Sequence, residues 1–355
     1  MRKLLIAAAL LALAACAPKE AGIYKLTNAN GMEVTVTGFG GRIMSVLVPD
    51  RDGNLRDVVL GFDKVQDYYP ENNQTDFGAS IGRYANRINQ GRIAIDGVEY
   101  QLPQNNFGHC LHGGPTGWQY QEYKVVEADA THIKLLRESP DGDNNFPGNV
   151  KAYVTYTITP DNAIDIAYEA TTDAPTVINM TNHSYFNLSG DPTRTILDHV
   201  LYVNASSFTP TDDTFMTTGE IVPVAGTPFD FTVPKPIGQD IEADCEQIRG
   251  ANGYDHNWCL DTAGDLSQVA CELYCPATGI DLKVYTGEPG VQVYSGNFLD
   301  GSVTGKGGVV YNQRTAICLE TQHYPDSPNK PQWPSVVLRP GETYHSHCVF
   351  AFGVK

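Results

Sequence analysis

Alternation with a period of two runs through most of this chain and sets its fold class. In "MEVTVTGFG", Met32, Val34 and Val36 alternate with Glu33, Thr35 and Thr37, the pattern of a strand with one face buried and one wet. "RIAIDGVEYQL" reads as two short strands joined at Asp96-Gly97, a dipeptide that accepts the positive φ of a two-residue hairpin. "YVTYTITPDNAIDIAYEA" turns at Pro160-Asp161-Asn162, and "CELYCPATGIDLKVYT" turns between Pro276 and Gly279. No segment carries a long helical period, no repeat of fixed length is visible, and 34 Gly with 22 Pro supply the turns that many short strands need. The expectation is an all-β protein, one large antiparallel β-sandwich.

The ends set the boundaries. "MRKLLIAAALLALAACAPKE" places Arg2 and Lys3 before an apolar run from Leu4 to Ala15, which suits a secretory signal and is short of the roughly 20 residues of a membrane span. The run closes on Leu13-Ala14-Ala15-Cys16, which resembles the lipobox of bacterial lipoproteins, cleaved before a cysteine that is then lipidated. Residues 1–15 are therefore expected to be a signal peptide, 16–22 the lipidated Cys16 with a short tether, and 23–355 the folded domain. The expected location is a bacterial membrane, on the periplasmic side or the cell surface, with attachment through Cys16 only.

Charge excludes one class of partner. The chain has 41 Asp and Glu against 24 Lys and Arg, two of which belong to the leader, so its surface repels phosphate backbones and nucleic acid is not expected. Cys110, Cys245, Cys259, Cys271, Cys275, Cys318 and Cys348 follow Cys16, an odd set that leaves pairing open. Several sit in apolar runs where cysteine is simply a small buried residue. Cys271 and Cys275 have no second pair to complete a zinc site, and no structural metal is expected.

Some motifs mislead. Gly78-Ala79-Ser80-Ile81-Gly82 fits the G-x-S-x-G of serine hydrolases, and Leu111-His112-Gly113-Gly114 is similar to their oxyanion loop. In those enzymes the oxyanion loop precedes the serine and the serine tops a strand–turn–helix elbow, whereas here the order is reversed and the helix pattern is missing. "DGDNN" from Asp141 opens like a calcium loop, but Phe146 replaces the glycine and the terminal glutamate is absent. Asn179, Asn182 and Asn187 match the glycosylation pattern, which carries no weight in a bacterial lipoprotein.

The remaining polar stretches are "GRYANRI", "LHGG", "TNHSYFN", "YDHNWCL", "PGVQVYSGNFLDG" and "CLETQHYPD". Alone, each has a plain reading: a solvated Arg87, core histidines at His112 and His183, a turn at Asp255. Glu320 fits its plain reading least, because it ends the apolar run "TAICLETQ", where a carboxylate is costly to bury unless paired. A carboxylate on a rigid strand facing a polar cleft is a common way to hold a general base.

In this order, these stretches resemble the aldose 1-epimerase (galactose mutarotase) family, from about Ile23 to Val354. The resemblance implies a large twisted β-sandwich of the galactose mutarotase type and interconversion of the anomers of galactose, glucose or a related aldohexose, without a metal or other cofactor. It implies Glu320 as general base, His183 as general acid, and Asn86, Arg87, His112, Asp255 and Gln292 as holders of the sugar. The leader is the main departure, since many relatives are cytoplasmic; it bears on location, not on the site.

The chemistry asks for such a set independently. Anomer exchange removes the C1 hydroxyl proton while the ring oxygen gains one, so one base and one acid must flank the anomeric centre. An ionised Glu320 and an imidazolium at His183, its pKa raised by a nearby carboxylate, suit those roles. Three alternatives stay open: a glycosidase using Asp255 and Glu320, a lipoprotein that only captures sugar, and an epimerase for another or a phosphorylated sugar. The preferred aldose, the oligomeric state and the facing side of the anchor are not readable.

Overall fold

The computed structural model describes residues 22–355; the leader and Cys16 lie outside the described residues. Two antiparallel sheets form the sandwich. The larger has nine strands in the order Lys124–Ala128, His132–Ser139, Val150–Ile158, Ala163–Thr172, Tyr344–Val354, Ile280–Thr286, Cys271–Tyr274, Val200–Val203 and Lys235–Pro236. The smaller has six, ordered Tyr185–Phe186, Ile317–Gln322, Gly290–Tyr294, Asp255–Cys259, Ser207–Thr209 and Val222–Pro223. The C-terminal strand lies in the middle of the large sheet, between Ala163–Thr172 and Ile280–Thr286, so the last residues close the sandwich.

Period-two alternation explains the packing. Val154, Ile166 and Phe350 of the large sheet share one core with Trp258, Val293 and Leu319 of the small sheet. A four-stranded sheet, Ile23–Thr27, Glu33–Thr37, Arg42–Pro49 and Leu55–Asp57, adds Val34, Val36 and Val46 to that core. The hairpin expected at Asp96-Gly97 forms, with φ of 51° and 82° at those residues and Ile95 paired with Val98. The turns after Ile158 and Tyr274 likewise join antiparallel neighbours. The α-helix among the described residues is the single short segment Glu246–Ala251.

The misleading motifs have structural roles. Ser80 lies in the strand Ala79–Ile81, fully buried, its hydroxyl 2.8 Å from that of Tyr156. Asp143 accepts from the Ser139 hydroxyl at 2.6 Å, bracing the turn that looked like a calcium loop. All seven cysteines after Cys16 are unpaired thiols, and every one except Cys245 is buried.

Candidate active site

The small sheet turns its second face toward a cavity, and the same alternation decides what stands there. In Ile317–Gln322, Ile317 and Leu319 face the core while Cys318, Glu320 and Gln322 fall on the opposite face. In Gly290–Tyr294, Val291 and Val293 go to the core, leaving Gln292 and Tyr294. Cross-strand register sets Gln292 opposite Glu320 and Asp255 opposite Tyr294. Glu320, Gln292 and Asp255 thus come together from three neighbouring strands.

"TNHSYFN" delivers the histidine. Thr181–His183 pairs with Ala79–Ile81, and the chain then shifts so that Tyr185 pairs with Cys318 in the small sheet. Asn182 stabilises that shift: its amide donates to the Gly78 carbonyl at 3.0 Å, and its oxygen accepts from the Ser184 amide and hydroxyl. Asn187 does the same at the far end, donating to the Thr315 and Arg194 carbonyls while accepting from Ser189. The asparagines therefore hold backbone, and His183 between them is free to face the cavity. The Tyr185 ring lies parallel to its imidazole, centroids 5.1 Å apart.

The cavity, of about 420 Å³, is lined by His183, Glu320, Gln292, Asp255, Arg87, Asn86 and His112. Every site residue expected from the sequence, Cys16 apart, is on that lining. His183 Nε2 stands 3.5 Å from Glu320 Oε1, with the residues only 5% and 2% exposed. The Gln292 amide donates to Asp255 at 2.7 Å. Arg87 donates through Nε and Nη2 to Asn106 at 3.2 and 2.9 Å, and its own amide donates to the Asn86 side-chain oxygen. His112 accepts from the Asn86 amide through Nδ1, so its neutral ring carries the proton on Nε2. Burial, His183 and Arg87 hold His112 well below the usual histidine range.

One expectation needs correcting. Burial, with Asp255 and Asp76 nearby, pushes the Glu320 carboxyl well above its usual range despite Arg87. Burial also lowers His183, and the favourable charge of Asp76 only partly offsets this. The 3.5 Å contact by itself would favour an ion pair. Burial outweighs it, because Glu320 Oε2 and His183 Nδ1 have no hydrogen-bond partner within the protein to compensate a charge. Burial thus works against both the Glu320 carboxylate and the His183 imidazolium.

Asp76, from "QTDFG", is a site residue that the sequence reading missed. It lines the cavity with a buried, unpaired Oδ1, and its carboxylate and ring nitrogens of His112 and His183 lie within 4.8 Å of one another. That trio, and the set His183, Cys318 and Glu320, are the groupings among the described residues with metal-ligand spacing. Tyr185 and Tyr294 were also missed. Both could have been found by taking every second residue from His183 and Gln292.

Unpaired polar atoms remain on Gln292, Glu320, His183 and Asp76, all aimed at or beside one cavity, and they suit a ligand made of hydroxyls. The family model of aldose 1-epimerases matches residues 22–351. The chain belongs to the aldose 1-epimerase family. It is 41% identical to a galactose mutarotase of Mus musculus over 326 residues, 91% of this chain and 92% of the relative. It is 39% identical to an aldose 1-epimerase of Escherichia coli K12 over 332 residues, 93% and 94% of the two chains. Among solved structures, an aldose epimerase homologue from C. elegans superimposes with a TM-score of 0.87 at 32% identity, covering 94% of this chain and 99% of that one. The fold is accordingly that of the galactose mutarotase-like sandwiches.

Proposed function

We infer that this protein is an aldose 1-epimerase that interconverts the α and β anomers of free aldohexoses, galactose and glucose among them. The observation that carries the reading is the buried Glu320–His183 contact at the floor of a cavity lined by unpaired polar atoms. Glu320 takes the proton of the C1 hydroxyl and His183 protonates the ring oxygen. The ring opens, the C1–C2 bond rotates, and the carbonyl closes on its other face with the two roles exchanged. A bound sugar that donates to Glu320 and accepts from His183 favours the charged forms of both, which burial disfavours. Asp76 supports the protonated form of His183. Arg87, Asp255, Gln292, Asn86 and the Nε2–H of His112 are placed to hold hydroxyls.

Polarimetry of freshly dissolved α-D-galactose and α-D-glucose tests the reading. The wild type should speed relaxation, and Glu320→Gln should lose about 10²- to 10⁴-fold in kcat, the worth of one general acid–base group. Full activity in Glu320→Gln, or in His183→Ala, would remove the assigned roles. Release of p-nitrophenol from an aryl glycoside would point instead to a glycosidase.

Location is a separate proposal, resting on Leu13-Ala14-Ala15-Cys16 alone. A lipid-anchored member would equilibrate anomers of sugars freed outside the cytoplasm. Labelled palmitate should enter the wild type and not Cys16→Ser, and the variant should leave the membrane fraction; a variant that stays membrane-bound would end the proposal.

A further inference from the structure

Asp76 reaches the cavity from a loop, the run just ahead of the strand Ala79–Ile81, yet its backbone is fixed on both sides. The fully buried Arg42 guanidinium donates through Nη1 to the Phe77 carbonyl at 2.9 Å and through Nη2 to the Thr75 carbonyl at 3.0 Å. It thus clamps the residues before and after Asp76. Gly78 ties the same loop to the histidine: its amide donates to the His183 carbonyl at 2.9 Å, and Ala79 pairs with His183 across the strands. Gly78 has φ of 68°, and a Cβ there would stand 1.8 Å from the Ile43 carbonyl oxygen, so the turn admits only glycine. Asp76 and His183 are therefore held side by side through their own backbones.

The buried Asp76 Oδ1 has no partner within the protein, and neither has Nδ1 of His183. An Asp76 oxygen and one ring nitrogen each of His112 and His183 lie within 4.8 Å of one another. This trio is poorly suited to chelating a cation. His112 Nδ1 accepts from the Asn86 amide at 3.1 Å, so the neutral ring keeps its proton on Nε2 and has no lone pair to offer there. A carboxylate with an unpaired oxygen beside an imidazole with an unpaired nitrogen suits stabilisation of the imidazolium.

The other ionisable groups around His183 narrow the choice. Burial holds the Cys318 thiol and the Tyr185 hydroxyl well above their usual ranges, and His112 well below its own, so all three stay neutral. The charges that remain are Glu320 at 3.5 Å, Asp76, and Arg42, which opposes Asp76 at His183. Across the cavity, Arg87 and Asp255 act on Glu320 with opposite signs. Asp76 acts on both members of the pair and in one direction, favouring the protonated form of each. We propose that Asp76 is a positioning residue for the acid–base pair, its negative charge setting the pH range over which Glu320 and His183 exchange protons with the sugar. This rests on the aldose 1-epimerase reading. In ring opening the C1 hydroxyl proton passes to Glu320 and the His183 proton to the ring oxygen, while Asp76 gains and loses none.

The test is the pH profile of kcat and KM for α-D-galactose, followed by polarimetry on the full protein. Asp76→Asn removes the charge at nearly constant shape. Both limbs of its kcat profile should move to lower pH, because both limbs belong to the Glu320–His183 pair. Near about pH 8 its kcat should fall about tenfold, while near about pH 6 it is kept or raised, with KM nearly unchanged. Asp76→Ser, also uncharged, should show the same displacement, and Asp76→Glu, which restores the charge, should return both limbs toward the wild-type positions. A loss of kcat by one factor at every pH, or a raised KM with the limbs in place, would overturn the proposal and leave Asp76 a structural or sugar-holding residue. A wild type that does not speed relaxation would overturn the epimerase reading itself.

Discussion

Two arginines four residues apart in "GRYANRI" are put to opposite uses. Arg83 is 1% exposed, and its Nη1 and Nη2 are taken up by protein: the carbonyls of Pro147, Gly148 and Pro140 and the side chains of Thr176 and Ser139. Burial lowers its guanidinium to about 10, with the charge of Asp143 the largest opposing influence. Arg87 is also buried, yet it gives only Nε and Nη2, to Asn106, and no acceptor among the described residues takes Nη1. A buried group whose terminal donors are all spent on acceptors of the protein holds loops together. A buried group that keeps a donor in reserve beside a cavity awaits a ligand.

The comparison breaks most visibly in stability. Arg83→Met should cost about 3–5 kcal/mol by urea denaturation, since several buried carbonyls lose their donor, while Arg87→Lys should leave the midpoint nearly unchanged. Activity should show the converse. Arg87→Lys keeps the charge and loses the planar fork, and its KM for galactose should rise about tenfold with a smaller change in kcat. Equal losses of stability in both variants would erase the distinction.

A subtler effect concerns Glu320. Its folded pKa is raised above the ordinary 4.5, so the folded state holds that proton where the unfolded chain has released it. Its ionisation therefore opposes folding increasingly as pH climbs above about 4.5 toward the folded value. Below that range the penalty vanishes. The Tm of Glu320→Gln should match the wild type near pH 4 and exceed it by a growing margin toward pH 8. A margin independent of pH would mean that Glu320 is ionised in the folded protein at no cost.

Local rules made much of this legible in the sequence. The strands, the Asp96-Gly97 hairpin and the displaced G-x-S-x-G serine follow from alternation and turn chemistry, which need only neighbours along the chain. Glu320 stood out because a carboxylate closing an apolar run needs an explanation. Asp76 did not, since nothing near "QTDFG" announces that the fold brings it beside His183. The contacts of the Phe215 ring with Phe107 and Phe298, which line the cavity, escaped for the same reason, because three distant loops bring these rings together. Arg83 and Arg87 could not be separated in the sequence at all: the acceptors that distinguish them come from residues 139–148 and Thr176 for the one and from Asn106 for the other. The proton affinities of Glu320 and His183 were misjudged because their burial is produced by the assembled fold rather than by their own strands.

Glu320 and Gln292 share their strands with Leu319 and Val293, site and core alternating residue by residue. Removing or inserting one residue in either strand would exchange the faces, sending Leu319 into the sugar and Glu320 into the core. Descendants of this chain can thus alter the small sheet only by replacing residues in place. Changes of length are confined to the connecting loops, among them the segments that carry Phe107 and Phe215, so new substrate preferences can arise at the rim while the floor keeps its spacing.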